Sequence, residues 1–272
     1  MNVKNFGDQT RGQVMETTLK FKGLKFVVPK ETECFWPYYG ICFVGEYDPI
    51  LINIKGSDIV LDAGANVGIF TLLASKKAKK IIAVEPDPEN FSYLVKNIYL
   101  NGAKNVVSMR EALSDYVGKG YLSGKGLSAA LSQNHGIPVK VTTIDDMLRR
   151  LHVTHVDVVK VDIEGAEVKA LKGEFLSKVR ELMIEVHGRQ NNMEVYKILK
   201  AKGFTIKEWN FSPLISFKKI LKNFMPFLNA EFKTHFVAIR LILRCAFGLS
   251  PHPVPAAEKD SNVKLIYAHQ TF

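Results

Sequence analysis

Between residues 57 and 210, short apolar and β-branched runs recur at intervals too wide for simple hairpins. DIVLDA (58–63), KIIAVE (80–85), NVVSMRE (105–111), HVDVVKVD (155–162), RELMIEV (180–186) and FTIKEW (204–209) each have the length and composition of a strand. Most segments between them have helical length and period. This alternation predicts an α/β fold, Rossmann-like and doubly wound, with a parallel sheet covered on both faces. GYLSGKGLSAALSQ and VKVTTI, within 120–144, read as an extra hairpin before the fourth strand. TTLKFKGLKFVVP (17–29) alternates apolar and basic residues around Lys22-Gly23, which predicts an N-terminal β-hairpin.

A chain of 272 residues fits one such domain with decorations. Its expected divisions are a hairpin and cofactor-covering lead-in (1–56), the main domain (57–250) and a loose, Pro-rich tail (251–272). Within 211–250 the sequence holds seven of the seventeen Phe and a net charge of +5, six Lys/Arg against one Glu. An insertion is expected at about 211–233, and HFVAIR (235–240) is expected to supply the last strand. A Phe- and Lys-rich segment suits an amphipathic helix on its own domain, or peripheral contact with an anionic membrane. FVAIRLILRCAFGL (236–249) is interrupted by Arg240 and Arg244, so no spanning helix is expected. The formal charge of +10 suits an anionic partner, a lipid surface or simply a solvated basic shell. Cys34, Cys42 and Cys245 form no CxxC pair, which suggests a reduced, cytoplasmic protein, with a Cys34–Cys42 bridge as the alternative.

VLDAGANVGIFTLLA (60–74) carries the first site. A β-branched run ends at Asp62, and Gly64-Ala65-Asn66-Val67-Gly68 then opens an apolar helix. Glycines in such a turn permit positive φ and close backbone approach. The spacing is G-x-x-x-G, and an acid precedes the first glycine. A pyrophosphate would be repelled by Asp62, whereas the ammonium and sulfonium of S-adenosylmethionine would be favoured. Glu85 ends the next strand in AVEPD, beside Pro86, 21 residues beyond Gly64, where an acid can accept hydrogen bonds from both ribose hydroxyls. The third strand ends in MREALSD, placing Glu111, Ala112 and Leu113 where an adenine ring would lie.

VVKVDIEGAEVKALKG (158–173) gathers Asp162, Glu164 and Glu167, and IEVHG (184–188) adds Glu185 and His187. Asp162 and His187 fall where strands four and five end, on the side of an open α/β sheet that holds ligands. Asp162 suits a base or hydroxyl orienter, and His187 is the other candidate base. A divalent metal held by carboxylates is a further option, with its ligands undetermined. Glu164 and Glu167 also suit the first turn of a helix, where the helix dipole favours carboxylates. Gly165 and Ala166 would let that turn pack tightly.

LDAGANVGIFTL, VEPDPENF, EALSD, TIDD and VKVDIEGAEVKALKG, in this order, resemble an FkbM-type methyltransferase, a branch of the class I S-adenosylmethionine-dependent enzymes. The resemblance runs from about Tyr47 to Trp209 and includes the lead-in FVGEYDP. It implies a seven-stranded sheet, six strands parallel and the last antiparallel. It also implies O-methylation of a sugar, glycan, lipid-linked or other small-molecule hydroxyl. The cofactor set on this reading is Asp62, Gly64, Ala65, Asn66, Gly68, Glu85, Pro86, Glu111, Ala112 and Asp162, with Asp162, Glu164 and His187 as the catalytic set. The alternatives are an RNA methyltransferase using the basic surface and a non-catalytic cofactor-binding protein. Nucleic acid is the less favoured partner, because the chain lacks D/N-P-P-Y and a Pro-Cys nucleophile at the fourth strand. Oligomeric state is open.

Overall fold

The computed structural model describes residues 16–30, 35–124, 130–132, 134–209 and 263–270. The expected 211–233 insertion, the Phe/Lys-rich segment, HFVAIR, Cys34 and Cys245 lie outside them.

A hairpin of β1 (Glu16–Phe21) and β2 (Leu24–Pro29) comes first. Its two turn residues, Lys22 and Gly23, have φ of 48° and 78°, the left-handed pair that a tight hairpin needs to match strand twist. Two short helices, α1 (Phe35–Tyr39) and α2 (Asp48–Asn53), lead into β3 (Ile59–Ala63). The chain then alternates through α3 (Ile69–Ser75), β4 (Lys80–Val84), α4 (Pro88–Leu100) and β5 (Val106–Met109). After β6 (Ala112–Leu113), β7 (Gly118–Ser123), β8 (Ala130–Ser132) and β9 (Ile137–Thr142) come α5 (Ile144–Arg150), β10 (Val158–Val161), α6 (Glu167–Ala170), β11 (Glu181–Val186), α7 (Arg189–Ala201), β12 (Thr205–Glu208) and β13 (Lys264–His269).

The central sheet has seven strands in the order β5–β4–β3–β10–β11–β13–β12. β13 runs antiparallel to both neighbours, and the pairs from β11 to β5 are parallel. Side chains alternate across it. Val60, Ile81, Val158 and Met183 enter one apolar layer with Phe70, the hairpin and α1; Leu61, Ile82, Val159, Leu182 and Ile184 enter the other with Met147, Leu176 and Val195. Both faces are thus covered, and ligand access is left to the strand ends.

Two sequence expectations are corrected. The strand between β11 and β12 is Lys264–His269, so part of the tail expected to be loose is core: Ile266 and Ala268 are fully buried. HFVAIR does not hold that place. The expected extra hairpin is present, with β7 antiparallel to β8 and to β9, and it belongs to a second sheet of four strands, ordered β6–β9–β7–β8.

The N-terminal hairpin is fastened by one buried amide. Asn97 of α4 accepts from Val27 N at 2.7 Å and donates to Val27 O and to Val67 O, both at 2.9 Å. It thereby ties hairpin, helix and glycine turn together. Asp87 caps α4 by accepting from Glu89 N and Asn90 N, with Pro88 at its first position. Among the described residues, no helix is long and apolar enough to cross a membrane.

Candidate active site

The glycine turn links three strand ends. Gly64 N and Ala65 N both donate to Val84 O at 2.9 Å, which joins β3 to β4. Gly64 has φ +77°, and a Cβ there would sit 1.7 Å from the carbonyl oxygen of Asp162. Its missing side chain lets the end of β3 press against the end of β10. At Gly68 (φ +92°), before α3, a Cβ would meet Leu94 Cδ1 at 2.7 Å, so this glycine sets the approach of α3 to α4. Asp62 is fully buried and accepts from Thr71 Oγ1 at 2.5 Å, fastening α3 to the strand it follows.

Glu85, six per cent exposed, crosses to this turn. Its Oε2 accepts from Asn66 N at 2.7 Å and its Oε1 from Asp87 N at 3.0 Å. Asn66 adopts φ +50° at this point. Burial pushes the Glu85 carboxyl up to about 7, against the pull of those two backbone donors. Pro86 beside it is half-buried, and Ala112 is buried at the start of β6. Glu111 is committed elsewhere: it pairs with Lys140 at 2.7 Å and with the guanidinium of Arg150. Burial would raise its carboxyl, but the two cations hold it below the ordinary range.

Lys160 is the residue that sequence reading missed. It points inward from β10, four per cent exposed, and its ammonium donates to Gly64 O at 2.5 Å. It lies 3.4 Å from Asp62 Oδ1 and 3.7 Å from Asp162 Oδ2, and 5.5 Å from the Tyr47 ring centroid. Burial disfavours its charge, yet the adjacent Asp62 and Asp162 carboxylates overcome that and raise its pKa. Tyr47, also buried, donates its hydroxyl to Asp162 Oδ2 at 3.4 Å. Burial and the Asp162 charge push that phenol well up, so it stays a donor. The available signal was a lone Lys inside an otherwise apolar strand, which has to find carboxylates.

Asp162 follows β10 with its side chain 30% exposed. Asp162, Glu185 and His187 each offer a ligand atom within 4.8 Å of the others. Glu164 does not begin the helix as expected: α6 starts at Glu167, and Glu164 precedes it with φ +50°. Its Oε2 lies 3.3 Å from His187 Nε2. Burial, then the charge of Asp162, lifts its carboxyl, while the adjacent His187 pulls it back down. A Cβ at Gly165 would meet nothing within 4 Å; its φ of +96°, not tight contact, favours glycine there. Glu167, with no exposed surface, accepts from Gly165 N at 2.7 Å and pairs with His187 Nδ1 at 3.0 Å.

His187 is therefore ringed by acids. Burial works against its charge, but the Glu167 hydrogen bond and the charges of Glu164 and Glu185 win, raising its pKa to about 10. A histidine so placed is a cation at neutral pH and no longer a free base. His187 follows the end of β11, as the strand pattern places it; Glu164 and Glu167, 23 and 20 residues away in the chain, change what it can do.

A glycine turn and buried acids thus stand together at the ends of adjoining strands, the side on which open α/β sheets hold ligands. Residues 62–211, more than half the chain, match the methyltransferase FkbM domain, and the protein belongs to that family of methyltransferases. It is 29% identical over 164 residues to the hexuronic acid methyltransferase AglP of Haloferax volcanii, a match covering 57% of this chain and 68% of that protein. It is 24% identical over 197 residues to the 31-O-demethyl-FK506 methyltransferase FkbM of Streptomyces tacrolimicus, covering 57% and 75%. A solved FkbM methyltransferase from Methylobacillus flagellatus aligns with a TM-score of 0.48 at 19% identity, over 66% of this chain and 48% of that one. The chain thus spans about half the length of that structure.

Proposed function

We propose that this methyltransferase uses S-adenosylmethionine to methylate a hydroxyl on a sugar, glycan, lipid-linked or other small-molecule acceptor. The observation that carries this reading is the pair formed by Glu85 and Asn66. Glu85 is fixed by Asn66 N and Asp87 N, so each carboxylate oxygen keeps a lone pair for a ribose hydroxyl. This donor set suits an adenosine: an acid at the end of β4, a left-handed turn beside it, and the small Ala112 three residues past the end of the neighbouring β5. Gly64, Ala65, Asn66 and Pro86 line the turn on this reading. Asp62 and Gly68 support it from behind through Thr71 and Leu94, whereas Glu111 is taken up by Lys140 and Arg150.

When bound, S-adenosylmethionine supplies an electrophilic methyl group on a sulfonium. The residues of this chain orient the acceptor and handle its proton. Asp162, part-exposed at the crevice, accepts the hydroxyl proton, and Lys160 and Tyr47 hold its carboxylate in place. Glu164 lines the same wall. His187 acts as a charged donor that keeps the acids together.

Thermal shift of cofactor-free protein with S-adenosylmethionine, S-adenosylhomocysteine and NAD tests the cofactor. Stabilisation by the first two alone is expected, and its absence sinks the proposal. Transfer of a labelled methyl group to sugar acids is the first acceptor assay, since AglP is named for hexuronic acid. Transfer to RNA instead would overturn the acceptor class.

A further inference from the structure

We propose that the end of the sheet opposite the crevice is a docking surface for an anionic lipid bilayer. At this end lie the connections entering β3, β4 and β5, together with the turn of the N-terminal hairpin. Hydrogen bonds bring four separated pieces of chain together here. Lys77 Nζ donates to Leu51 O at 2.8 Å and to Ile52 O at 3.2 Å, which joins the exit of α2 to the exit of α3. Lys79 N and Lys80 N donate to Asp58 O, so the turn before β3 sits beside them. Asn105 Nδ2 donates to Ser75 O and Ala78 O, both at 2.9 Å, which brings the loop after α4 alongside. Asn101, just past α4, accepts from Lys25 N at 2.9 Å and donates to Lys25 O at 2.7 Å, and so draws in the hairpin turn.

The charge on this end is one-sided. Lys55 precedes β3, Lys76, Lys77 and Lys79 lie between α3 and β4, and Lys104 precedes β5; all are exposed. The hairpin adds Lys20, Lys22 and Lys25, exposed as well. The four pieces (20–25, 52–58, 76–80 and 99–105) hold one acid, Asp58, which is buried and taken up by Arg180. Among the described residues, none of these eight lysines forms an ion pair with a carboxylate. Lys20 and Lys25 stand directly opposite each other across the hairpin, a like-charge pairing that destabilises a sheet. The dipoles of α2, α3 and α4 favour a cation at each helix exit, which accounts for one lysine apiece. The surplus calls for an anion from outside the fold.

Apolar side chains among the lysines say which anion. Ile52 is 67% exposed at the exit of α2, and Tyr99 and Leu100 are 88% and 43% exposed at the exit of α4. A nucleic acid would take the lysines and could stack on Tyr99, but it offers nothing to Ile52 or Leu100. A bilayer takes both kinds of group: its headgroups attract the ammoniums, and aliphatic and aromatic tips enter the headgroup boundary. The cations are all lysines, flexible point charges that need no bidentate partner. The crevice lies at the other ends of the strands, so docking leaves it open to water. None of this rests on the methyl-transfer reading.

The test is flotation of the full-length protein with phosphatidylcholine vesicles, with and without about 30% phosphatidylglycerol, at about 0.15 M salt. Binding to the anionic vesicles alone is expected. Lys76→Gln/Lys79→Gln/Lys104→Gln should weaken it about 100-fold, at about fivefold for each lysine near the surface. Ile52→Ser/Tyr99→Ser should weaken it at least about 10-fold with the charge unchanged. All five side chains are exposed, and matching thermal unfolding curves verify that both variants fold. No flotation with anionic vesicles, equal flotation with neutral ones, or full binding by the lysine variant overturns the proposal. Retention of polyuridylate without flotation assigns the surface to nucleic acid and overturns it too. Lys218→Gln/Lys219→Gln/Lys222→Gln makes the same charge change in the Phe/Lys-rich segment; loss of flotation there, with full binding by the first variant, moves the contact to that segment.

Discussion

Adding one methyl group at Gly64 should damage both stability and turnover, and the structure separates the two causes. Gly64→Ala places a Cβ 1.7 Å from Asp162 O at a φ of +77°. The left-handed backbone alone costs an alanine about 1–2 kcal/mol. An ordinary carbon–oxygen contact is about 3.3 Å, so the end of β3 and the start of the Asp162 turn must separate by roughly 1.6 Å. Overpacking of that kind adds about 1–3 kcal/mol. The sum, about 3.5 kcal/mol, lowers the melting temperature by about 10 °C for a domain of this size. Gly203→Ala is the control, since Gly203 has φ +84° and nothing within 4 Å of the added carbon. It should lose only the backbone component, about 3–5 °C. Calorimetry on the two variants gives the difference directly. Asp162 moves with the clash, so turnover of folded Gly64→Ala should fall about 100-fold, while Gly203→Ala keeps its rate. Equal thermal losses in the two variants would refute the close-approach argument.

Glu85→Ala should weaken S-adenosylhomocysteine about 10- to 100-fold by calorimetry. Wild-type affinity should rise from pH 6 to 8, because the Glu85 carboxyl titrates at about 7 and only its ionised form accepts from both hydroxyls. In the unliganded protein the sign reverses: this raised pKa favours the fold below 4.5, and that contribution is lost as pH climbs to about 7. Lys160→Met leaves Asp62 buried beside no ammonium and should cost about 3–5 kcal/mol in urea unfolding; an unchanged midpoint would show that Lys160 is not the counter-charge. Asp58→Asn breaks a two-pronged pair with Arg180 (2.9 and 2.7 Å) at the opposite end of β3 from the turn. It should destabilise by about 3 kcal/mol without changing cofactor affinity. Burial raises the Asp58 carboxyl, but Arg180 outweighs it and holds the value low, so the pair supports the fold above the ordinary Asp range and fails as pH falls through the depressed value.

The seven-strand plan was largely legible because it is written in local pattern. Six runs gave β3, β4, β5, β10, β11 and β12 within a few residues, and Lys22-Gly23 gave the hairpin. Asp62, Gly64, Glu85 and Asp162 were visible for the same reason: each sits at a strand end, and strand ends can be read from where apolar runs stop. The last strand was not. KLIYAH is six residues beyond a Pro-rich stretch, and its only distinguishing property is that β11 and β12 leave a vacant place between them.

Chemistry divided along the same line. The sequence by itself determined which acids stand at the strand ends, because strand periodicity assigns side chains to faces and ends. Only the tertiary structure decided their charges. Lys160 reaches Gly64 O, about 96 residues away in the chain, and Glu167 meets His187 across 20. A protonation state follows from burial and from which charges lie within a few ångströms, and no spacing along the chain specifies either. That is why His187, which looked like a base when read from the sequence, becomes the cation of an acidic ring in the fold.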